Sequence, residues 1–573
     1  MMSIKNILLC IISLPVNTHS DAQNIGKKTI INPYNYTIKK DVNSKNGIVA
    51  CAHPLAALAG IDILKQGGNA IDAAIATQLA LAVVYPGAGN LGGGGFLVAT
   101  LGQQHIALDF RETAPAKSSK KMYLDNSGNA NMNLLQDGAL ASGVPGTVAG
   151  LFEAMKYAKL PFETLIQPAI ELADKGFVIT ELEANSLNSN KTAFLKNNKT
   201  ITAFVKSGQG WWQAGDTLVQ KDLAKTLMRI RDNGRDGFYK GETAELIVSG
   251  MKSNDGIITL SDLRKYTVEE RVPAEFSYKG YQVITMSLPS SGGILLQQML
   301  KMLESRPLAK YGFMSPKSIQ LITEVERRAY ADRAEYLGDP DFINVPVKTL
   351  VSEDYLHKRM AEYDSVYAGK SINIKAGIIA ESEETTHLSI IDKDGNCVAV
   401  TTTLNGQYGS KCVVAGAGFL MNNEMDDFSV QPGVPNQYGA VGGKANAIAP
   451  RKRMLSSMSP TIVMKDGKPV MVVGTPGGTT IITSVLQSIL DVIDFGLNAH
   501  DAVNMPKFHH QWLPDQIDIE KNFPSDILAQ LKAMGYTLNV RKPWSRTEMI
   551  KLVNNNLYEA AADSRGDDDA EGY

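Results

Sequence analysis

The sequence predicts an α+β protein in which β-sheets are layered together and covered by helices on the outside. Helical apolar periodicity runs through residues 54–85, whereas short strands around Asp-Gly turns cluster after residue 388. Further helical segments stand on both sides of these strand clusters. With 44% apolar and 20% charged residues among 573, the chain has a globular composition and room for a large core.

Two helices are predicted within residues 54–85. The glycine pair Gly67 and Gly68 interrupts the pattern, and Asn69 is a natural N-cap for the second helix. Pro86 ends that helix. We therefore expect a helix, a short break and a second helix.

A hairpin follows in the stretch FLVATLGQQHIALDF, where two strands turn at Gly102, and Arg111 comes just after the second strand. Residues 259–287 predict a short helix and then strands. The regions predicted to be mainly helical are 145–175, 215–255 and 290–335. These helices are expected to form outer layers.

The second half of the chain begins with strands. LSIIDKDGNCVAVTTTL predicts two strands joined by an Asp-Lys-Asp-Gly turn, and residues 461–478 repeat this design. Helices are predicted again at 479–496 and 524–534. The last residues, DSRGDDDAEGY, are interpreted as a polar low-complexity tail.

Charge and composition favour small-molecule chemistry. The chain has 57 Lys and Arg against 59 Asp and Glu, a net charge of -2, so no field for nucleic acid is expected. Lys5 precedes an apolar stretch from Ile7 to Val16, which predicts a signal peptide at residues 1–23. That stretch is too short for a spanning helix of roughly 20 residues. We expect a periplasmic or extracellular protein whose mature chain has no transmembrane segment.

The cysteines do not predict a disulfide framework. Cys10 leaves with the signal peptide, so Cys51, Cys397 and Cys412 remain, an odd number. Buried free thiols are favoured, although a bridge between Cys397 and Cys412 on neighbouring strands stays open in an oxidising compartment.

Three familiar motifs do not predict a function for this chain. The segment GAGNLG at 87–92 matches a dinucleotide fingerprint, but a helix precedes it and a strand follows, which is the reverse of the required order. His509 and His510 would point to opposite faces of a strand, so no metal site is expected there. No G-x-S-x-G elbow is found either.

Thr385 and Thr386 follow two glutamates at the start of a predicted strand. A threonine hydroxyl needs a base to become a nucleophile. His387 shares a strand face with Thr385, but two residues along a strand separate the groups by roughly 6–7 Å, which is too far for a hydrogen bond. Chain cleavage before Thr385 would instead create an α-amine on the same residue, with a pKa of ~7.7 to 8. The alternative is that both threonines simply favour a strand.

Several motifs together decide between these alternatives. NLGGGGF, DFRETAP and AYADRAEYLGDPDF are followed by TTHLSIIDKDGNCVAVTTTLN, MNNEMDDFS, RKRMLSSMSPTIV and GTPGGTTIITSVLQ. In this order they closely resemble the γ-glutamyltranspeptidase family, also called γ-glutamyltransferases or glutathione hydrolases, particularly its bacterial secreted members. The resemblance runs from about Asn46 to Tyr573.

This resemblance implies an N-terminal nucleophile hydrolase with a four-layer αββα sandwich formed jointly by two subunits from one precursor. Autocatalytic cleavage between Glu384 and Thr385 would yield a large subunit, residues 24–384, and a small catalytic subunit, residues 385–573. The two subunits would stay together as a heterodimer.

The resemblance also implies roles for individual residues. Thr385 is the nucleophile of both processing and catalysis, and Thr403 hydrogen-bonds it. Gly477 and Gly478 form the oxyanion hole. The residues expected to bind the α-carboxylate of the substrate are Arg111, Ser456 and Ser457. Those expected to hold its α-ammonium are Asn405, Glu424 and Asp427, and Tyr438 closes a lid loop at 432–443. Glu424 stands where some relatives carry glutamine, which leaves acceptor preference open.

The implied reaction transfers the γ-glutamyl group of glutathione or a related compound to Thr385 and then to water or to an amino acid or peptide acceptor. No cofactor or metal is expected. The alternatives kept open are a glutaryl-cephalosporin acylase or a poly-γ-glutamate depolymerase of the same superfamily, and a γ-glutamyl peptide-binding protein that never processes.

Overall fold

The computed structural model describes residues 31–374, 384–430, 443–554 and 556–573. The predicted signal peptide and Tyr438 lie outside these described residues. Glu384 is described as the first residue of a strand, without its side chain.

Strands within the described ranges form two seven-stranded sheets and two smaller ones. The strands are β1 Asp41–Ser44, β2 Gly47–Cys51, β3 Gly94–Leu101, β4 Gln104–Asp109, β5 Phe177–Val178, β6 Thr217–Leu218, β7 Glu269–Arg271, β8 Ala274–Tyr278, β9 Tyr281–Thr285, β10 Glu384–Asp392, β11 Cys397–Asn405, β12 Thr461–Lys465, β13 Lys468–Gly474, β14 Phe508–His509, β15 Ile517–Glu520, β16 Leu538–Arg541, β17 Glu548–Asn554, β18 Leu557–Ala562 and β19 Asp569–Gly572.

The α-helices of the same ranges are mostly grouped between the strand clusters. They are α1 Pro54–Lys65, α2 Ala70–Val84, α3 Asn133–Gln136, α4 Thr147–Ala154, α5 Phe162–Lys175, α6 Glu181–Asn197, α7 Lys221–Asn233, α8 Asp236–Tyr239, α9 Gly241–Ser253, α10 Leu260–Lys265, α11 Gly292–Glu304, α12 Leu308–Tyr311, α13 Pro316–Tyr336, α14 Val347–Leu350, α15 Glu353–Arg359, α16 Thr480–Ile493, α17 Ala499–Asn504 and α18 Ser525–Ala533.

The two large sheets are antiparallel and draw their strands from both halves of the chain. Sheet 1 has the order β19-β2-β10-β11-β3-β4-β7, and sheet 2 has the order β1-β18-β17-β13-β12-β9-β8. In sheet 1 the central hairpin β10–β11 is paired with β2 on one side and with β3 on the other.

Alternating side chains on the strands of sheet 1 separate two cores. On β2, Ile48 and Ala50 lie in a core shared with sheet 2 and with helices α11, α13 and α16. Val49 and Cys51 point the other way, into a core with α1, α2 and α5. The layers are therefore helix, sheet, sheet, helix, which confirms the expected αββα sandwich.

Local signals in the sequence are confirmed at α1 and α2. The Asn69 side chain accepts hydrogen bonds from the backbone N–H groups of Ile71 and Asp72, and the Asp72 side chain completes a capping box. Gly67 has a φ of 94°, which a glycine adopts without strain and which ends the first helix. The predicted hairpins β3–β4, β10–β11 and β12–β13 are also present.

The interpretation of the C-terminal residues as a polar low-complexity tail is wrong. Residues Asp569–Gly572 form β19, an edge strand of sheet 1 that pairs with β2. Asp568 and Asp569 are completely buried. Asp568 accepts from the Arg546 guanidinium at 2.8 Å, and Asp569 accepts from the backbone N–H of Lys39 at 2.6 Å. The acids are buried because distant parts of the chain supply their partners.

Two further expectations concern cysteines and membranes. Cys51, Cys397 and Cys412 are buried free thiols, so the bridge between Cys397 and Cys412 is not formed.

Within the described ranges, every helix is too short or too polar to cross a bilayer.

Candidate active site

Thr385 lies near the start of β10 and directly opposite Thr403 of β11. Both residues are buried. The register between the two strands shifts between Glu384 and Thr385, so the backbone is irregular at this peptide bond. The bond for which cleavage is expected therefore lies at the point where regular strand pairing stops.

Asn405 ends β11 in a left-handed conformation, with a φ of 74°. The Thr403 hydroxyl accepts a hydrogen bond from the backbone N–H of Asn405 at 2.8 Å. The Asn405 amide donates to the carbonyl oxygen of Asn423 at 2.9 Å. The strand end that faces Thr385 is thus tied to the turn that carries Glu424 and Asp427.

His387 is fully engaged away from Thr385. Its Nδ1 lies 2.8 Å from the Thr401 hydroxyl, and its Nε2 lies 3.1 Å from the Ser389 hydroxyl. Burial lowers the pKa of the His387 imidazole to about 3, so the ring is neutral. Both ring nitrogens of His387 therefore contact groups other than Thr385, in line with the spacing along the strand.

Gly474, the last residue of β13, brings sheet 2 against the His387 ring. A Cβ atom at Gly474 would lie 2.3 Å from Cε1 of His387, so only glycine allows this approach. The chain continues from Gly474 to Gly477 and Gly478, so the glycine turn lies three residues beyond this contact with β10.

The turn at Gly477 and Gly478 has φ values of 133° and 58°, a region that favours glycine. The Thr480 hydroxyl donates to the Gly477 carbonyl oxygen at 2.7 Å, and the Tyr330 hydroxyl donates to that of Thr479. Helix α16 starts at Thr480, so the glycine N–H groups lie at a helix N-terminus, where an anion is stabilised.

Arg111 is at the centre of a buried charged cluster. Its guanidinium donates to Glu424 and to Asp427, both carried on a 3₁₀ turn, Glu424–Asp427. Glu112 lies 3.8 Å from the same guanidinium. Burial raises the pKa of the Glu112 carboxyl to about 8 and that of Glu424 well above its usual value, while Arg111 acts in the opposite direction on both. Arg111, expected to bind the α-carboxylate of the substrate, is thus in contact with Glu424 and Asp427, which are expected to bind its α-ammonium.

Ser456 and Ser457 lie beside this cluster. The Arg111 guanidinium donates to the carbonyl oxygen of Leu455 at 3.3 Å. The Ser456 carbonyl oxygen accepts from both the N–H and the hydroxyl of Ser291, each at 2.7 Å. The Ser457 hydroxyl accepts from the Arg333 guanidinium at 3.0 Å.

The structure therefore links most of the predicted residues into one region. A continuous path runs from Thr385 through Thr403 and Asn405 to the Arg111 cluster and then to the two serines. Sequence reasoning missed Arg333 and Ser291. Arg333 stands inside the motif AYADRAEYLGDPDF, and a charged residue on such a buried helix was the signal that could have found it.

Known proteins are similar to this chain over most of its length. The family model described as "Gamma-glutamyltranspeptidase" matches residues 56–573. The glutathione hydrolase proenzyme of Escherichia coli K12 is 47% identical over 94% of this chain and 94% of its own length. That of Bacillus subtilis 168 is 40% identical, over 88% of this chain and 87% of its own.

Two solved structures extend the comparison. A cephalosporin acylase from Bacillus halodurans has a TM-score of 0.82 at 26% identity, covering 95% of this chain and 99% of that one. A γ-glutamyltranspeptidase from Helicobacter pylori has a TM-score of 0.56 at 44% identity, covering 61% of this chain and 97% of that one.

Proposed function

The chain belongs to the γ-glutamyltranspeptidase family, and from this premise we propose that it is an autoprocessing γ-glutamyltransferase that also hydrolyses glutathione and related γ-glutamyl compounds. One observation carries the proposal. Thr385 faces Thr403 at the end of the sandwich where Arg111, Glu424 and Asp427 form a buried cluster suited to an amino-acid head group.

Substrate binding exchanges one set of ion pairs for another. The α-carboxylate of the substrate accepts hydrogen bonds from the guanidinium of Arg111 and from the hydroxyls of Ser456 and Ser457. The α-ammonium donates to the carboxylates of Glu424 and Asp427. Three carboxyl groups, including that of Glu112, surround one guanidinium in this cluster, and burial raises the pKa of Glu112 and of Glu424. The substrate ammonium adds a positive charge that favours the ionised forms of these carboxyl groups.

Processing and catalysis use the same hydroxyl. The Thr385 hydroxyl first attacks the carbonyl carbon of Glu384, and hydrolysis of the resulting ester leaves Thr385 with an α-amine. An α-amine has a pKa of ~7.7 to 8.0 and can accept the hydroxyl proton at neutral pH. The engagement of His387 with Thr401 and Ser389 supports this choice of base.

In the catalytic cycle the Thr385 hydroxyl adds to the γ-carbonyl carbon of the substrate. The N–H groups of the turn at Gly477 and Gly478 stabilise the oxyanion. The proton taken by the α-amine passes to the departing amine as the C–N bond breaks, which leaves a γ-glutamyl ester. Water, or the amine of an amino acid or peptide acceptor, then cleaves this ester. Each of these steps uses groups of the protein and no cofactor.

The proposed subunits are residues 24–384 and 385–573, after removal of the signal peptide at 1–23. Sheet topology supports their staying together. In sheet 1, β10 and β11 of the small subunit lie between β2 and β3 of the large one, and in sheet 2, β12 of the small subunit pairs with β9 of the large one. Separating the subunits would break both sheets, so cleavage yields a heterodimer.

A glutaryl-cephalosporin acylase is the second candidate, because the fold is shared with a cephalosporin acylase. A glutaryl group has a carboxylate but no α-ammonium. Its binding would take Arg111 away from Glu424 and Asp427 and bring no ammonium to these buried carboxyl groups in exchange. The cluster therefore favours a γ-glutamyl donor.

The test compares wild-type protein with Thr385→Ala. We expect the wild type to give two fragments on a denaturing gel, the smaller beginning at Thr385 by N-terminal sequencing, and to hydrolyse γ-glutamyl-p-nitroanilide. Thr385→Ala should remain one chain and release no p-nitroaniline, since it lacks the nucleophile.

Thr386→Ala is the matched control. Thr386 is the next residue of β10, is equally buried and points to the opposite face of the strand. This variant should process and turn over. A Thr385→Ala protein that still splits and hydrolyses the donor would refute the assignment.

A further inference from the structure

Resting on the function proposed above, we propose that Arg333 is a positioning residue that orients the Ser457 hydroxyl and holds the Ser456 backbone, so that both serines face the α-carboxylate of the donor. It contacts Ser457 directly and reaches Ser456 through Ser291.

Arg333 lies on α13 and is buried. Its Nη2 donates to the Ser457 hydroxyl at 3.0 Å, and its Nε donates to the Ser291 hydroxyl at 2.7 Å. Ser291 in turn donates both its hydroxyl and its backbone N–H to the Ser456 carbonyl oxygen, each at 2.7 Å. One guanidinium thus holds both serines of the predicted carboxylate site.

These contacts determine which way the hydroxyl protons point. A guanidinium has donors and no acceptor, so the Ser457 oxygen must accept from Arg333 with a lone pair. Its single proton is then directed to another acceptor. The Ser456 hydroxyl likewise accepts from the backbone N–H of Met458 at 3.1 Å, which leaves its proton to be donated. An ionised carboxylate only accepts hydrogen bonds, so two oriented donors match it.

The positive charge of Arg333 strengthens this arrangement. A hydroxyl that accepts from a cation is a stronger donor to a carboxylate, because a charge-assisted hydrogen bond polarises the group. Tyr330, three residues earlier and on the same side of α13, donates to the carbonyl oxygen of Thr479, next to the glycine turn. The helix that orients the carboxylate site therefore also contacts the proposed oxyanion site.

Arg328 offers a comparison on the same helix. It is also buried, and its guanidinium donates to the Glu324 carboxylate at 2.6 Å and to the Arg359 carbonyl oxygen at 2.7 Å. Those contacts tie α13 to itself and to α15 without touching the two serines. Arg328→Gln thus loses a buried arginine in the same structural setting while Arg333 keeps its contacts.

The experiment measures kcat/KM for two donors, γ-glutamyl-p-nitroanilide and its analogue with a carboxamide in place of the α-carboxylate. Arg333→Gln should lower the preference for the carboxylate donor at least about tenfold, chiefly through KM, because a charge-assisted hydrogen-bond network to the carboxylate is lost. Arg328→Gln should leave the preference within about twofold, since its contacts lie elsewhere.

Equal losses on both donors in Arg333→Gln would overturn the proposal, because a purely structural role affects both alike. Ser291→Ala removes the hydroxyl that joins Arg333 to the Ser456 carbonyl oxygen and keeps the contact of the backbone N–H, so it should lower the preference in the same direction and by less. If Arg333→Gln fails to fold or process, an unchanged preference in Ser291→Ala overturns the proposal, and a reduced one supports it. A wild-type protein that hydrolyses neither donor would instead refute the proposed function itself.

Discussion

Replacing Thr403 by valine should slow autoprocessing far more than it weakens the fold. Valine has nearly the shape of threonine, so the packing of β11 is kept and only the hydroxyl is lost. Thr403 is directly opposite Thr385, a position where cross-strand Cβ atoms are roughly 4.5–5.5 Å apart. Its hydroxyl is therefore close enough to interact with the reacting hydroxyl.

The cost to stability follows from the hydrogen bond that is lost. The Thr403 hydroxyl accepts from the buried N–H of Asn405 at 2.8 Å, and leaving such a donor unsatisfied costs about 1–3 kcal/mol. If a contact of similar strength is lost at the transition state of processing, the rate should fall roughly 5- to 150-fold.

Thr402→Val is the matched control on the same strand. The Thr402 hydroxyl donates to the Gly94 carbonyl oxygen at 2.8 Å, so this variant should lose about the same 1–3 kcal/mol of stability. Its side chain points to the opposite face of β11 and away from Thr385. Thr402→Val should therefore process at nearly the wild-type rate.

The assay follows the appearance of the two fragments on denaturing gels with time, together with urea unfolding of each variant. Thr403→Val is expected to be much slower than Thr402→Val at matched stability. If both variants slow processing equally, loss of stability explains the effect and the reasoning about the position of Thr403 is wrong.

Two further predictions concern charge. Glu424→Gln keeps an oxygen acceptor for Arg111 but removes a carboxyl group that can ionise beside the substrate ammonium. KM for γ-glutamyl-p-nitroanilide should therefore rise roughly tenfold with little change in kcat, because the lost interaction binds substrate and transition state alike. Steady-state kinetics with glutaryl-p-nitroanilide, which has no ammonium, should show no such rise; equal changes for both would contradict the assignment. Burial lowers the pKa of His387 from 6.5 to about 3, so the unfolded chain binds a proton there as pH falls and the folded chain does not. The free energy of unfolding of the wild type should therefore fall by about 2 kcal/mol at this site between pH 7 and pH 5. Urea unfolding of His387→Gln should not show this fall. The control His500→Gln, at an exposed position, should show it as the wild type does.

Much of the local structure could be predicted because its causes are local. The break at Gly67, the cap at Asn69 and the Asp-Gly turns act over a few residues, and each fixes the backbone without help from elsewhere. The spacing of Thr385 and His387 along one strand was likewise enough to argue that the histidine is not the base.

The C-terminal acids show where such reasoning fails. Composition alone favours a solvated tail for DSRGDDDAEGY, because acids in water are normally exposed. Asp568 and Asp569 are buried only because Arg546 and the backbone of Lys39 reach them from distant parts of the chain. No pattern within the tail records these partners.

The candidate site likewise has features that the sequence determined and features that only the tertiary structure decided. The sequence by itself determined the fold class, the strand that begins near Thr385 and, through ordered motifs, the set of residues expected to act together. Only the tertiary structure decided that Arg111 is paired with Glu424 and Asp427, that Arg333 supports the two serines, and that the bond before Thr385 lies at a break in strand pairing. Turns and helix caps depend on neighbours in the chain, whereas buried charges and oriented hydroxyls depend on partners brought together by packing two sheets.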